Sequence, residues 1–136
     1  SPIQPDKAAS DRDFDAAVKW VLERIAQIHL VAGSHNEESN LKLCQWMGEM
    51  GLEPGDARVS FAQLMGMSDP ITFNLAARGY NVAKYVPYGP IREAIPYLIR
   101  RAQENTSVAG QTSRELTLLR EEQQRRKQMN SRQRGL

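Results

Sequence analysis

The stretch Tyr85-Val-Pro-Tyr-Gly-Pro-Ile-Arg-Glu-Ala-Ile-Pro-Tyr-Leu-Ile-Arg-Arg-Ala-Gln-Glu-Asn105 decides how the chain is built. The residues leading into it, Val82 to Val86, are β-branched, aromatic and few, which predicts a buried strand ending near Tyr85. Pro87, Gly89 and Pro90 then turn the backbone. Pro90 has its φ preset and no N–H to leave unsatisfied, so it suits the first turn of a helix. At about 100° per residue, Ile91, Ala94, Ile95, Leu98 and Ala102 form one apolar stripe. Tyr97, Arg100, Arg101 and Glu104 fall together on its flank. Two adjacent guanidinium groups repel, and are least costly where an anion lies between them. The fork of each matches a carboxylate bidentately, so this flank reads as an anion clamp.

Outward from that stretch the same strand–helix unit recurs. Ile28 to Ala32 is a short apolar run stopped by Gly33, as expected of a buried parallel strand. Glu37 to Met50 follows as an amphipathic helix with Leu41, Leu43, Cys44 and Met47 facing inward and Gly51 as its stop. Arg58 to Leu64 is the second strand, and Pro70 starts a helix that runs to Arg78 and Gly79. Ahead of all three units, Ser1 to Ala9 reads as a loop, and Ser10 or Asp11 caps a helix to Gln27. Behind them, Asn105 to Thr112 is a break, and a charged helix from Ser113 frays after Gln123. Strands alternating with helices imply a parallel sheet with right-handed crossovers, hence α/β.

Three parallel strands alone leave two edges open and too little cover. A closed (β/α)8 barrel takes about 250 residues, against 136 here. The chain therefore reads as part of a larger barrel. In such barrels the chemistry gathers at the carboxyl ends of the strands. Ser34, His35 and Asn36, Gln63 to Met67, and Tyr85 all lie there.

Composition narrows the classes of function. Eighteen Lys and Arg against sixteen Asp and Glu leave a net charge of +2, which argues against nucleic-acid binding. The basic excess sits in the tail, at Arg114, Arg120, Arg125, Arg126, Lys127, Arg132 and Arg134. A charged run of this kind is ordinarily a solvated face, although it also suits an anionic surface. One cysteine, Cys44, on the inner side of a helix, reads as a buried thiol. Two histidines and one cysteine far apart give no zinc spacing, so no metal is expected. No apolar run is long enough to span a bilayer, and no signal peptide opens the sequence.

The pattern Tyr-x-Pro-x-Gly at 85–89, followed by Tyr-Leu-x-Arg-Arg-x-x-Glu-Asn at 97–105, resembles the C-terminal signature of the proline dehydrogenases. Ala32-Gly-Ser-His-Asn36 and Phe61-Ala-Gln-Leu-Met-Gly-Met67 resemble that family's two preceding strand ends, in the same order. The likeness runs from about Pro2 to Ser107. It implies the last three strand–helix units of a (β/α)8 TIM-type barrel over residues 1–110, with a charged helical tail over 111–136. It also implies FAD as cofactor, L-proline as substrate, 1-pyrroline-5-carboxylate as product and a quinone-type electron acceptor. The expected setting is the cytoplasm or the mitochondrial matrix side, with peripheral contact to the inner membrane.

Residue by residue, the resemblance implies FAD contacts for Ser34 and His35, with Ser34 standing where many relatives carry threonine. Gln63 joins the cofactor side, Glu104 touches the cofactor or orients an arginine, and Leu64, Gly66 and Met67 line the pocket near the flavin. Arg100 and Arg101 hold the substrate carboxylate, and Tyr97 packs on the substrate. Tyr85 is the catalytic-site aromatic against the proline ring, where its bulk leaves little room for a ring hydroxyl and so favours proline over hydroxyproline. The family's remaining flavin and substrate residues lie on earlier strands, so these 136 residues alone are expected to be inactive. The residues read without the resemblance leave a different option open, a non-enzymatic α/β module that binds a small carboxylate or phosphate through the same arginines.

Overall fold

The computed structural model describes residues 3–107, 116–117 and 120–127, with only the backbone of 102 and 104–107. They fall into two compact units, Ser1–Val86 and Pro87–Leu136. The first unit holds helix α1 (Lys7–Leu22), strand β1 (Leu30–Gly33), helix α2 (Glu37–Glu49), strand β2 (Val59–Leu64), helix α3 (Asp69–Ala77) and strand β3 (Val82–Tyr85). The second holds helix α4 (Ile91–Ser107) and helical residues at 116–117 and 120–127. The break expected from Asn105 begins later, since α4 runs through Ser107, and helix persists at 124–127 where fraying was expected after Gln123. Residues 108–112 and those beyond 127 lie outside the described residues.

The three strands form one parallel sheet in the order β1-β2-β3, which is the α/β arrangement the alternation predicts. The register sets Ala32 beside Phe61, Gln63 beside Lys84, and Leu64 beside Tyr85. Because successive strand residues point to opposite faces, the sheet has two unlike sides. Leu30, Ala32, Val59, Phe61 and Gln63 are buried on one side. There α1, α2 and α3 supply Val18, Leu22, Leu43, Met47 and Leu75 to a common core. On the other side Val31 is 66% exposed and Tyr85 55%, beside the half-buried Ser60, Ala62 and Leu64. A parallel sheet is normally covered on both faces; here the side that carries Leu64 and Tyr85 is the less buried one, its described strand residues being half-buried or exposed.

Several helix limits differ from those expected, for local reasons. Asp6 caps α1, accepting the Ala9 N–H at 2.7 Å, so the helix starts upstream of Ser10 and Asp11. Ser10 donates its hydroxyl to the Asp6 carbonyl instead. The helix stops at Leu22 because the N–H groups of Arg24, Ile25 and Gln27 turn to carbonyls three residues back, the tightening common at helix ends. Leu41, expected to face inward, is exposed, while Leu43 and Met47 are buried. Cys44 is half-buried and carries no disulfide, and burial pushes its thiol above the ordinary value despite a hydrogen bond with Tyr80. In α4, three members of the expected apolar stripe, Ile91, Ile95 and Leu98, are exposed.

At the amino ends of the strands, Asp56 and Arg58 form a two-pronged pair, with Arg58 Nε 2.8 Å from Asp56 Oδ1 and Arg58 Nη2 reaching Oδ2. Asn81 donates to the Asp56 and Val59 carbonyls at 2.8 and 3.1 Å, which fastens β3 to the turn before β2. The Arg58 guanidinium holds the Asp56 carboxyl far below the usual carboxylate range. A carboxyl depressed on folding contributes stability that is complete above that ordinary range and is lost as pH falls through and below it. Asp56→Asn is therefore expected to flatten the acid limb of stability without changing the neutral plateau's shape. Urea midpoints measured between neutral pH and about pH 3 check this.

Candidate active site

Two strand ends and the loop after β2 meet around one imidazole. The β1–β2 ladder continues to Ser34, whose N–H donates to the Ala62 carbonyl at 3.2 Å. Asn36 then caps α2, accepting the N–H groups of Glu38 and Ser39 on Oδ1. The Asn36 N–H donates to Ser34 Oγ at 3.1 Å, and Asn40 Nδ2 donates to the Ser34 and Asn36 carbonyls. His35 therefore sits between two residues whose backbones are both tied down.

The ring of His35 is held at both nitrogens. The Leu64 N–H donates to Nε2 at 3.1 Å, and Ser68 Oγ lies 3.2 Å from Nδ1. An amide N–H can only donate, so Nε2 is the bare nitrogen and Nδ1 carries the proton, donated to Ser68 Oγ. His35 is thus fixed as one neutral tautomer. The hydroxyl of Ser34 has no acceptor for its own hydrogen among the described residues, which leaves it a donor at the strand end.

Ser68 is 3% exposed and has φ 52° and ψ 38°, a left-handed conformation that costs a residue with a side chain about 1–2 kcal/mol. The loop leading to it begins with a tight turn in which the Met67 N–H donates to the Leu64 carbonyl. Gly66 takes the positive-φ corner at φ 76°, which a glycine occupies without penalty. The Ser68 carbonyl in turn accepts the Thr72 N–H and hydroxyl.

Gln63 is placed on the helix-covered face and is 2% exposed. Its Nε2 donates to the Ser34 carbonyl at 3.3 Å, and its Oε1 accepts from Thr72 Oγ1 at 2.9 Å. The amide joins the β1 end to α3. Leu64 and Tyr85 are register partners on the less buried face, and the Met65 N–H donates to the Tyr85 carbonyl at 2.9 Å.

Within the second unit, the Arg101 guanidinium carbon stands 5.2 Å from the centre of the Tyr97 ring, one helical turn away. Both residues are half-buried, and Arg100 is exposed. Stacking on an aromatic face orients the guanidinium plane. The side chain of Glu104 lies outside the described residues. Among the described residues, no three His, Cys, Asp or Glu side chains are grouped so as to hold a metal. No helix among them is long and apolar enough to cross a membrane.

Sequence reasoning passed over Lys84, Ser68 and Thr72. Lys84 was the findable one. Alternation along β3 turns it toward the helices with Val82, and a lysine on a covered face needs partners. Its ammonium donates to the Leu64 and Met67 carbonyls and, at 2.8 Å, to Asp69 Oδ1.

The similarities to known proteins agree with this geometry. The family model described as proline dehydrogenase matches residues 1–114. Human "Proline dehydrogenase 1, mitochondrial" is 45% identical over 121 residues, covering 87% of this chain and 20% of that protein. The hydroxyproline dehydrogenase of Xenopus laevis is 43% identical over 129 residues, covering 92% of this chain and 28% of that protein. The chain thus spans between a fifth and three-tenths of the length of these relatives. Among solved structures, proline utilization A from Bdellovibrio bacteriovorus, inactivated by N-propargylglycine, superposes with a TM-score of 0.71 at 29% identity, over 78% of this chain and 11% of that one. With the strand-end residues Ser34, His35 and Tyr85 and the Tyr97-to-Arg101 helix in their expected elements, and the family model matched over residues 1–114, the chain belongs to the proline dehydrogenase family.

Proposed function

We propose that this chain supplies the last three strand–helix units of a (β/α)8 barrel that oxidises L-proline to 1-pyrroline-5-carboxylate with FAD. The observation that carries the reading is the one-sided parallel sheet. Its less buried face presents Leu64 and Tyr85, and the face without the helices is the one a closed barrel turns inward. Residues 1–110 form the barrel part in this reading, and 111–136 a helical tail.

The residues present fit a flavin site. Ser34 offers a hydroxyl donor at a strand end, His35 offers an imidazole of fixed tautomer, and the neighbouring strand positions Gly33, Ser60, Ala62 and Ala83 are small. Bound FAD would supply the hydride acceptor for the ring carbon next to the proline nitrogen. The chain's own residues position and hold charge. Ser34 would donate to the cofactor and His35 would pack against it. Gln63 acts through the Ser34 carbonyl it grips, since both ends of its amide are engaged. Leu64 and Tyr85 bound the substrate ring, and the Tyr85 ring fills the space a ring hydroxyl would need. Arg100 and Arg101 would receive the carboxylate, with Tyr97 keeping the Arg101 fork in plane, and Glu104 would touch the cofactor or orient an arginine. A quinone-type compound would be the electron acceptor.

The reading is tested by proline-dependent dye reduction. The purified 136-residue chain is expected to show none, and activity is expected once a polypeptide carrying the remaining strand–helix units is added. Dye reduction by the pure chain alone would contradict the reading.

A further inference from the structure

We propose that Lys84 is a positioning residue for His35, acting through Ser68. The two residues on either side of Ser68 are both held by the Lys84 ammonium, Met67 by its carbonyl and Asp69 by its carboxylate. The Met67 carbonyl belongs to the peptide plane whose rotation about N–Cα is the φ of Ser68, so fixing that oxygen fixes the angle. On the other side, the Ser68 carbonyl is held by the Thr72 N–H at 3.2 Å and the Thr72 hydroxyl at 3.3 Å. Both peptide planes flanking Ser68 are therefore clamped.

That double hold matters because Ser68 is the one residue other than glycine among the described residues with positive φ. Without restraint a serine leaves the left-handed region, and its hydroxyl leaves with it. The hydroxyl is what receives the His35 Nδ1 proton. Lys84 is also well placed to sense both strand ends. It is the β3 neighbour of Gln63, and its ammonium reaches the carbonyl of Leu64, the residue whose N–H meets His35 Nε2. The lysine side chain is 19% exposed, so its bonds to the two backbone carbonyls are partly shielded from water, while the Asp69 arm ends on an exposed carboxylate.

The consequence for the site rests on the flavin reading above. A proton fixed on Nδ1 gives His35 one hydrogen-bonding face and one ring orientation, and Lys84 maintains both from a strand that does not carry the histidine.

The test is the imidazole tautomer, read by long-range 15N–1H NMR of the full chain. The chain has two histidines, and His29, before β1, serves as the internal reference. In the parent, His35 is expected to show the Nδ1–H pattern alone. Lys84→Met is expected to shift it toward the Nε2–H form that a free imidazole prefers, with His29 unchanged. Asp69→Ala removes one arm of the clamp at an exposed carboxylate and is expected to give a smaller shift in the same direction, which keeps the test open if Lys84→Met does not fold. An unchanged His35 pattern in the folded variants overturns the proposal. In the assembled protein, FAD retention is measured alongside. A shifted tautomer with unchanged retention supports the positioning role of Lys84 and counts instead against His35 as a flavin contact.

Discussion

Arg101→Met, in the assembled protein, is expected to raise the KM for proline on the order of 100-fold. Truncating one partner of a hydrogen-bonded charge pair costs about 2–5 kcal/mol, and every 1.4 kcal/mol is about tenfold. Arg101 is the half-buried member of the pair, and its guanidinium carbon stands 5.2 Å from the centre of the Tyr97 ring, a stacking that orients the guanidinium plane. The loss should fall mainly on KM, because the clamp grips the carboxylate equally before and during the reaction. Arg101→Lys keeps the charge but loses the planar fork and the stacking, and is expected to recover only part of the loss. Steady-state kinetics across the three proteins check the ordering. A KM within twofold of the parent for Arg101→Met would remove Arg101 from the clamp.

Phe61→Ala is expected to cost about 3–5 kcal/mol of stability, a large share of the roughly 5–15 kcal/mol that a domain has in total. Phe61 lies in the middle strand of the sheet and is 0% exposed. Its ring meets Tyr80 edge to face, with centroids 5.4 Å apart at 78°. Backbone on both sides is held by ladder bonds to β1 and β3, so the surroundings cannot collapse into the space left behind. Urea unfolding followed by circular dichroism should show the midpoint falling steeply, with the slope kept. By contrast, Ile91→Ala in α4 should leave the isolated chain within about 0.5 kcal/mol, since its side chain is largely solvated. The same change in the assembled barrel should cost more if that stripe is covered there.

The contrast between Phe61 and Ile91 also marks what the sequence could convey. Apolar runs bounded by turn residues located all three strands, each within about two residues of its observed limits, because burial under helices is a strong demand on a strand. The Gly51 stop ended α2 where expected, because a glycine there takes the positive φ of a helix end without strain. Periodicity alone cannot say whether an apolar stripe has a partner. Ile91, Ile95 and Leu98 satisfy the helical pattern and stay exposed, since nothing in this chain's own sequence requires their cover to be present. Leu41 went wrong in a related way, by lying at the border of a stripe that Leu43 and Met47 define. The start of α1 was misjudged because Asp6 and Ser10 are both competent caps, and the choice between them depends on which N–H groups each can reach.

At the site, the elements and their order were legible and the side-chain partners were not. Ser34, His35, Gln63 and Tyr85 stand at or beside strand ends, as alternation of strands and helices implies. His35 finds its ring partners 29 and 33 residues away, however, and no local pattern encodes that. Gln63 reads as a pocket residue by position, yet its place in the alternation turns it under α3 toward Thr72. A count of faces along β2 would have shown this, since Gln63 shares its side with Val59 and Phe61.

The most direct measurement of the central claim is the visible absorbance of the protein assembled with its remaining barrel strands, before and after proline is added under exclusion of oxygen. A bound flavin band is expected that bleaches on addition of proline, and that bleaches only at far higher proline when Arg101 is replaced by Met. An assembled, folded protein that carries no flavin, or whose flavin band is indifferent to proline, would contradict that claim.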